Sequence, residues 1–171
     1  MSPLLTLSGD ESADKPILAA EYAKLYTSGT TYTFDGKPVS ILNFPSNVWT
    51  GHPYFLQHLC TRENAIKGTG RPYCKDRSER MLWSRDLLLN YKAAGVLLWK
   101  ANYKVKFRRA FVYASECRYV LVLEDNNFNP NPKLRADKYT FVSAHIVTDE
   151  TEHRKLMASY SEKKIPVWKP V

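Results

Sequence analysis

Residues 103–147 decide what kind of fold this chain can adopt. They read YKVKFRRAFVYA at 103–114, CRYVLVLED at 117–125 and KYTFVSAHIV at 138–147. Each segment is rich in Val, Phe, Tyr and Leu, residues that suit a pleated and half-buried surface. The break at Ser115-Glu116 has hairpin length, and the break from Asn126 to Asp137 is a longer polar loop holding two Asn-Pro pairs. The pattern predicts an antiparallel meander. Strict alternation would put Lys104, Lys106 and Arg108 on one side of its first strand and Val105, Phe107 and Phe111 on the other. The same alternation would place Ser143 and His145 on the face that carries Tyr139 and Phe141. A hydroxyl and an imidazole two residues apart, late in a strand, can both reach one ligand.

Helical patterns flank the meander. Asp14 is positioned to cap a helix running from Pro16 to Tyr26, with Leu18, Tyr22 and Leu25 as its apolar stripe. A second helix is expected from Pro53 to before Gly68, preceded by His52 as a cap, with His58 and Arg62 four residues apart on one face. The Gly- and Pro-rich stretch Lys67 to Pro72 reads as a mobile loop. A third helix is expected over Arg77 to Asn90, its start marked by Asp76 and Glu79 as a variant capping box. Trp83, Leu87 and Tyr91 form its buried face with Met81 and Leu88, and Arg77, Arg80 and Ser84 cluster elsewhere. Two arginines in a first helical turn oppose the macrodipole, a penalty that a bound anion would reverse. Val96 to Trp99 reads as a short buried strand or turn leading into the meander. Asp149 with Glu152 caps a last helix carrying Leu156, Met157 and Tyr160. Asp35-Gly36 between apolar residues predicts a small hairpin within Tyr32 to Ile41.

The expected class is therefore α+β, an antiparallel sheet with N-terminal helices packed on one face. A chain of 171 residues is expected to form one domain, with residues 1–14 loose, a core over 16–163 and an extended tail at 164–171. No apolar run is long enough to span a bilayer, and the N-terminus lacks a basic region followed by an apolar one, so neither membrane insertion nor a secretory signal is expected. Three cysteines, Cys60, Cys74 and Cys117, cannot all pair within one chain, which favours free thiols and a cytoplasmic setting.

The formal charge of +8 favours a polyanionic partner. Residues 62–118 hold 14 Lys or Arg against 5 Asp or Glu, so the excess is concentrated in the middle of the chain. No Walker loop, Rossmann glycine pattern, Gly-x-Ser-x-Gly elbow or His-Glu-x-x-His occurs. His52, His58, Cys60 and Cys74 lack the short regular spacing of a zinc site, so no metal or other cofactor is expected. What remains is His, Arg, Lys, Ser and Tyr, an inventory that fits metal-independent RNA cleavage. A base takes the ribose 2′-OH proton, an acid protonates the leaving 5′-oxygen, and cations hold the charge on phosphorus. Imidazole suits the first two roles, and the planar guanidinium suits the third.

The segment Asp76-Arg77-Ser78-Glu79-Arg80-Met81-Leu82-Trp83, followed by strands and then Tyr139-Thr140-Phe141-Val142-Ser143-Ala144-His145, resembles the barnase–EndoU–colicin–RelE group of ribonucleases. It looks most like the small phage, plasmid or toxin members, over roughly residues 54 to 160. The resemblance implies helices on one face of an antiparallel sheet and RNA cleaved on the open face without metal. Carried over by position, it puts Arg77 and Arg80 at the scissile phosphate and Ser143 in the place of a threonine or serine hydroxyl. His58 and His145 are the base and acid candidates, with neither role assigned to either. Arg62, Lys104, Lys106, Arg108, Tyr113 and Arg118 are candidates for the RNA track. A toxin-type ribonuclease also implies an inhibitor or antitoxin protein as partner. Two other readings stand beside it: a non-catalytic nucleic-acid-binding module, and a phage-type protein that inhibits another protein.

Overall fold

The computed structural model describes residues 1–26, 31–62, 71–103 and 107–162. The chain forms two compact units. One comprises Met1–Thr30 and Ile41–Asp86, the other Thr31–Ser40 and Leu87–Val171. The class is α+β. The positions Lys104, Lys106, the loop from Lys67 and the tail at 164–171 lie wholly or partly outside the described residues.

The first unit is helical. Helix α1 spans Glu11–Tyr26, α2 Tyr54–Cys60, α3 Lys75–Glu79, and α4, Met81–Leu89, begins in this unit. Helix α1 starts earlier than expected because Asp10, not Asp14, caps it: the Asp10 carboxylate accepts from the Ser12 and Ala13 amides at 2.7 and 3.0 Å. Asp14 sits buried inside the helix instead. Its carboxylate accepts from the Ser8 amide and hydroxyl and the Gly9 amide, each at 2.9 Å, and from the Tyr73 hydroxyl at 2.8 Å. Burial raises its pKa, but these four donors outweigh that and hold it at about 2. The stripe Leu18, Tyr22 and Leu25 is buried as the periodicity required. Tyr26 meets Phe55 edge-on at 6.1 Å, and its hydroxyl pairs with Ser84.

Helix α2 is shorter than the sequence suggested. Pro53 is its N-terminal flanking residue, His52 precedes it, and Thr61 ends it in extended conformation. Arg62 therefore lies past the helix, where its amide bonds the Pro72 carbonyl at 3.0 Å, and shares no helical face with His58. The expected third helix is two helices. Cys74 flanks the start of α3 without a side-chain cap, so the Asp76–Glu79 capping box does not form, and the chain leaves helical geometry at Arg80 (φ −99°, ψ 13°). Ser84 does not join the arginines. It is fully buried and donates to the Met81 carbonyl.

The second unit is a six-stranded sheet with one helix on it. Strands β1 (Tyr32–Phe34), β2 (Lys37–Ser40), β3 (Val96–Tyr103), β4 (Phe107–Ala114), β5 (Tyr119–Asp125) and β6 (Tyr139–Ile146) take the order β1-β2-β6-β5-β4-β3. The meander is present, but the sheet is mixed rather than purely antiparallel, since β2 runs parallel to β6. The first strand of the expected meander is also divided: Tyr103 ends β3, which pairs along its whole length with β4. The β1–β2 turn needs left-handed backbone at both central positions, Asp35 at φ 53° and Gly36 at φ 76°, the requirement that Asp-Gly meets.

Within the second unit, the helix packed on this sheet is the C-terminal α5 at Glu150–Glu162. Asp149 flanks its start and accepts from the Thr151 amide at 2.7 Å. Leu156, Met157 and Tyr160 pack on Trp99, Ala101, Tyr113, Val120 and Val122. Trp99 is fully buried, stacked on Phe111 at 5.0 Å, and donates its indole N–H to Ser159 at 3.1 Å. Ala110, Val112, Leu121, Leu123 and Phe141 fill the opposite face of the sheet.

One irregularity changes which residues share a face. Ser143 stands opposite Val122, yet Phe141 stands opposite Leu123, so β6 carries one extra residue at a β-bulge. Val122 and Leu123 are consecutive and point to opposite faces, and so must Ser143 and Phe141. Ser143 and His145 therefore face α5, while Tyr139 and Phe141 face the other way. The expected common face of these four residues is corrected by the bulge.

Candidate functional site

One group of titratable side chains in the second unit lies where α5 begins over the sheet. Register fixes its base. Tyr113 on β4 stands opposite Val120 on β5, and Val120 stands opposite His145 on β6. The three form one cross-strand row on the α5 face. With strands ~4.8 Å apart, Tyr113 and His145 spring from positions roughly 10 Å apart. Glu152 and His153, consecutive on α5, then meet the two ends of the row. Glu152 Oε1 lies 3.0 Å from His145 Nε2, and His153 Nδ1 lies 2.7 Å from the Tyr113 hydroxyl.

The two imidazoles are held in different ways. The Glu152 carboxylate accepts, so Nε2 of His145 carries the proton and the neutral ring keeps its lone pair on Nδ1. Burial raises the Tyr113 pKa, with Arg118 nearby opposing the rise, and the phenol stays protonated. Its hydroxyl can donate to an unprotonated Nδ1 of His153 or accept from Nδ1–H, according to the tautomer. Tyr113 itself is fully enclosed, which removes its ring from any stacking role. His145 and Glu152 are partly open, with side chains 25% and 45% exposed. Arg118 stands two residues before Val120, in left-handed conformation at φ 52°, and pairs with Glu150 at 2.9 Å on the open surface. A proton acceptor, a proton donor and a cation thus lie at one end of one sheet face.

The other sequence-derived candidates are distributed differently. Ser143 and His145 share the α5 face, as stated above. Arg108 is on the opposite face of β4, where its guanidinium lies 4.5 Å from the centre of the Phe128 ring. Its neighbour Arg109 faces α5 and lies 3.7 Å from Glu124. His58, Arg62, Arg77 and Arg80 all belong to the first unit. There His58 stacks on Tyr54 and Phe55, with ring centres 5.9 and 6.4 Å away. Arg80 donates to the Asp76 carbonyl at 2.6 Å and lies over Trp83 at 5.4 Å. Of the expected constellation, Ser143 and His145 share the α5 face of the second unit, and Arg118 reaches Glu150 at the start of α5.

His153 and Glu152 were missing from the sequence reading as site residues. The signal was available. His153, Leu156, Met157 and Tyr160 follow i, i+3, i+4, i+7 spacing, so His153 lies on the half-buried stripe of α5 that faces the sheet, where an imidazole needs a partner.

Cys60 is buried and its thiol is pushed up to about 12 by desolvation, which makes it an unreactive core residue. Among the described residues no group of three or more His, Cys, Asp or Glu is arranged to hold a metal ion, and no helix is long and apolar enough to cross a membrane. Comparison with protein-family models, with curated proteins and with solved structures gives no match for this chain.

Proposed function

We propose that this protein is a metal-independent endoribonuclease of the toxin type, acting on RNA in the cytoplasm of its host or of a target cell. The observation that carries the reading is the pair of differently held imidazoles, His145 on Glu152 and His153 on Tyr113, at the two ends of one cross-strand row. His145 is the base: its Nδ1 takes the proton of the ribose 2′-OH, and the oxygen attacks the adjacent phosphorus. The bond from phosphorus to the 5′-oxygen breaks, and protonated His153 delivers its Nε2 proton to that oxygen. Arg118, released from Glu150, holds the charge that builds on the phosphoryl oxygens. The products are a 2′,3′-cyclic phosphate and a 5′-hydroxyl. Ser143, on the same face, is placed to hydrogen-bond the substrate.

The assignment replaces His58, Arg77 and Arg80 with groups of a single unit, and it supplies the base and acid roles that the sequence left open. An inhibitor or antitoxin protein is the partner such an activity requires in the producing cell. The test is growth. Induced expression is expected to arrest cells, and His145→Ala or His153→Ala to relieve the arrest at equal protein level. Relief by His58→Ala or Arg80→Ala, with neither second-unit variant having an effect, would move the site to the first unit.

The distribution of charge supports a second reading, a nucleic-acid-binding module without catalysis. The second unit carries 16 Lys or Arg against 9 Asp or Glu, which is nearly all of the excess of the chain. That reading predicts salt-sensitive binding with RNA left intact.

A further inference from the structure

The loop between β5 and β6 carries a feature that the histidine site does not use. Its first part is a 3-10 turn, Asn126–Phe128, pinned from three directions. The Asp125 carboxylate accepts from the Asn127 amide at 3.2 Å, the Asn126 amide donates to the Lys138 carbonyl at 3.1 Å, and the Asn126 side chain bonds Thr140 at 3.0 Å. The turn ends in Phe128, an aromatic ring left 47% exposed on a fixed backbone. Arg108 reaches it from β4, with its guanidinium 4.5 Å from the ring centre. Among the described residues Arg108 has no ion pair, and its Nε is enclosed without a hydrogen-bond partner.

The Asp125 carboxylate stands at the start of the turn, and the loop that follows it is basic. Lys133 lies in a second 3-10 turn, Pro132–Leu134, whose flanking Asn131 accepts from the Lys133 amide at 3.1 Å. Arg135 is fastened through Nε to the Asn129 carbonyl at 3.0 Å. Asp137, the carboxylate of residues 126–138, is already held by Lys37 at 2.7 Å and Asn127 at 3.0 Å. No ion pair is formed by Lys133 or Arg135 among the described residues.

We propose that Phe128 and Arg108 form a base-stacking subsite for single-stranded nucleic acid, with Lys133 and Arg135 taking the flanking phosphates. An exposed ring backed by a guanidinium offers a flat, rigid and sequence-tolerant surface to a nucleobase, and a basic rim tracks the backbone. A guanidinium satisfied by a ring rather than a carboxylate keeps its charge available to an anion. The subsite lies on the sheet face opposite His145, so it binds substrate rather than taking part in bond breaking. It rests on the nucleic-acid reading given above and narrows the partner to an unpaired strand.

The experiment is fluorescence anisotropy with labelled oligothymidylate, which lacks the 2′-OH and therefore reports binding without cleavage. The full chain is expected to bind, and Phe128→Ala to weaken binding roughly 5- to 100-fold, the range typical of one lost base stack. Phe128→Trp is expected to bind as tightly as the parent or more tightly. Lys133→Glu should lower the slope of log affinity against log salt, whereas Phe128→Ala should leave that slope unchanged. Thermal melts of each variant control for loss of folding. No binding by the parent, Phe128→Ala within about twofold of the parent, or Phe128→Trp as weak as the alanine variant would overturn the subsite. RNA cleavage persisting beside Phe128-independent binding would overturn this inference and leave the ribonuclease reading intact. Phe128-dependent binding by a chain that cuts no RNA would do the reverse.

Discussion

Each buried charge in this protein is set by the donors and acceptors around it. Asp14 is the clearest case. Read as a helix cap, it is instead the acceptor that ties residues 8 and 9 and Tyr73 to α1. Because its folded pKa, about 2, lies below the ordinary 3.8, its stabilising contribution is complete above pH 3.8 and is lost as pH falls towards 2. Asp14→Asn is expected to lower thermal stability at neutral pH and to flatten the pH dependence in that acid window, as followed by circular dichroism. An unchanged acid profile would mean that another carboxylate governs it. Tyr113→Phe removes the hydroxyl that meets His153 and should cost about 1 kcal/mol, a typical net hydrogen bond. Such single-atom partnerships are the part of the site least legible in sequence. His145 could be named from its place in a Val- and Phe-rich strand, but Glu152 seven residues later could not be assigned to it until the helix was laid on the sheet.

At the scale of elements, more was readable, because periodicity encodes burial directly. The Asp35-Gly36 turn, the stripe of α1, the meander and the apolar stripe of α5 all follow from spacing and turn chemistry. Gly36→Ala is expected to destabilise the second unit by roughly 1 kcal/mol, since alanine strains at φ 76°. Trp99→Ala, which empties the fully buried centre of the sheet–α5 contact, should cost roughly 3–5 kcal/mol in chemical denaturation. A cost below that of an ordinary surface change would contradict the packing of α5 on this face. What spacing could not reveal was the bulge in β6. A period of two carries no information about where an extra residue is inserted, and Val142 is as compatible with a regular strand as Thr140. That one residue turns Ser143 and His145 towards α5. The break at Arg80 was hidden for a related reason: the sequence around it has no proline or glycine to mark an interruption.

At the scale of the whole chain, the division into two units reorganises the functional question. The charge excess that the sequence placed in the middle belongs chiefly to the second unit, which also carries the paired imidazoles. The first unit is nearly balanced, with 9 Lys or Arg against 8 Asp or Glu. Binding of RNA to the chain is therefore expected to weaken steeply with added salt, and charge reversals in the second unit should reduce the slope. Incubation of purified protein with RNA in EDTA, with the fragment ends identified, separates cleavage from binding alone. Discrete fragments ending in 2′,3′-cyclic phosphate are expected, lost in His145→Ala and in His153→Ala while both variants remain folded. Intact RNA under those conditions, or fragments undiminished in both variants, would contradict the proposed cleavage.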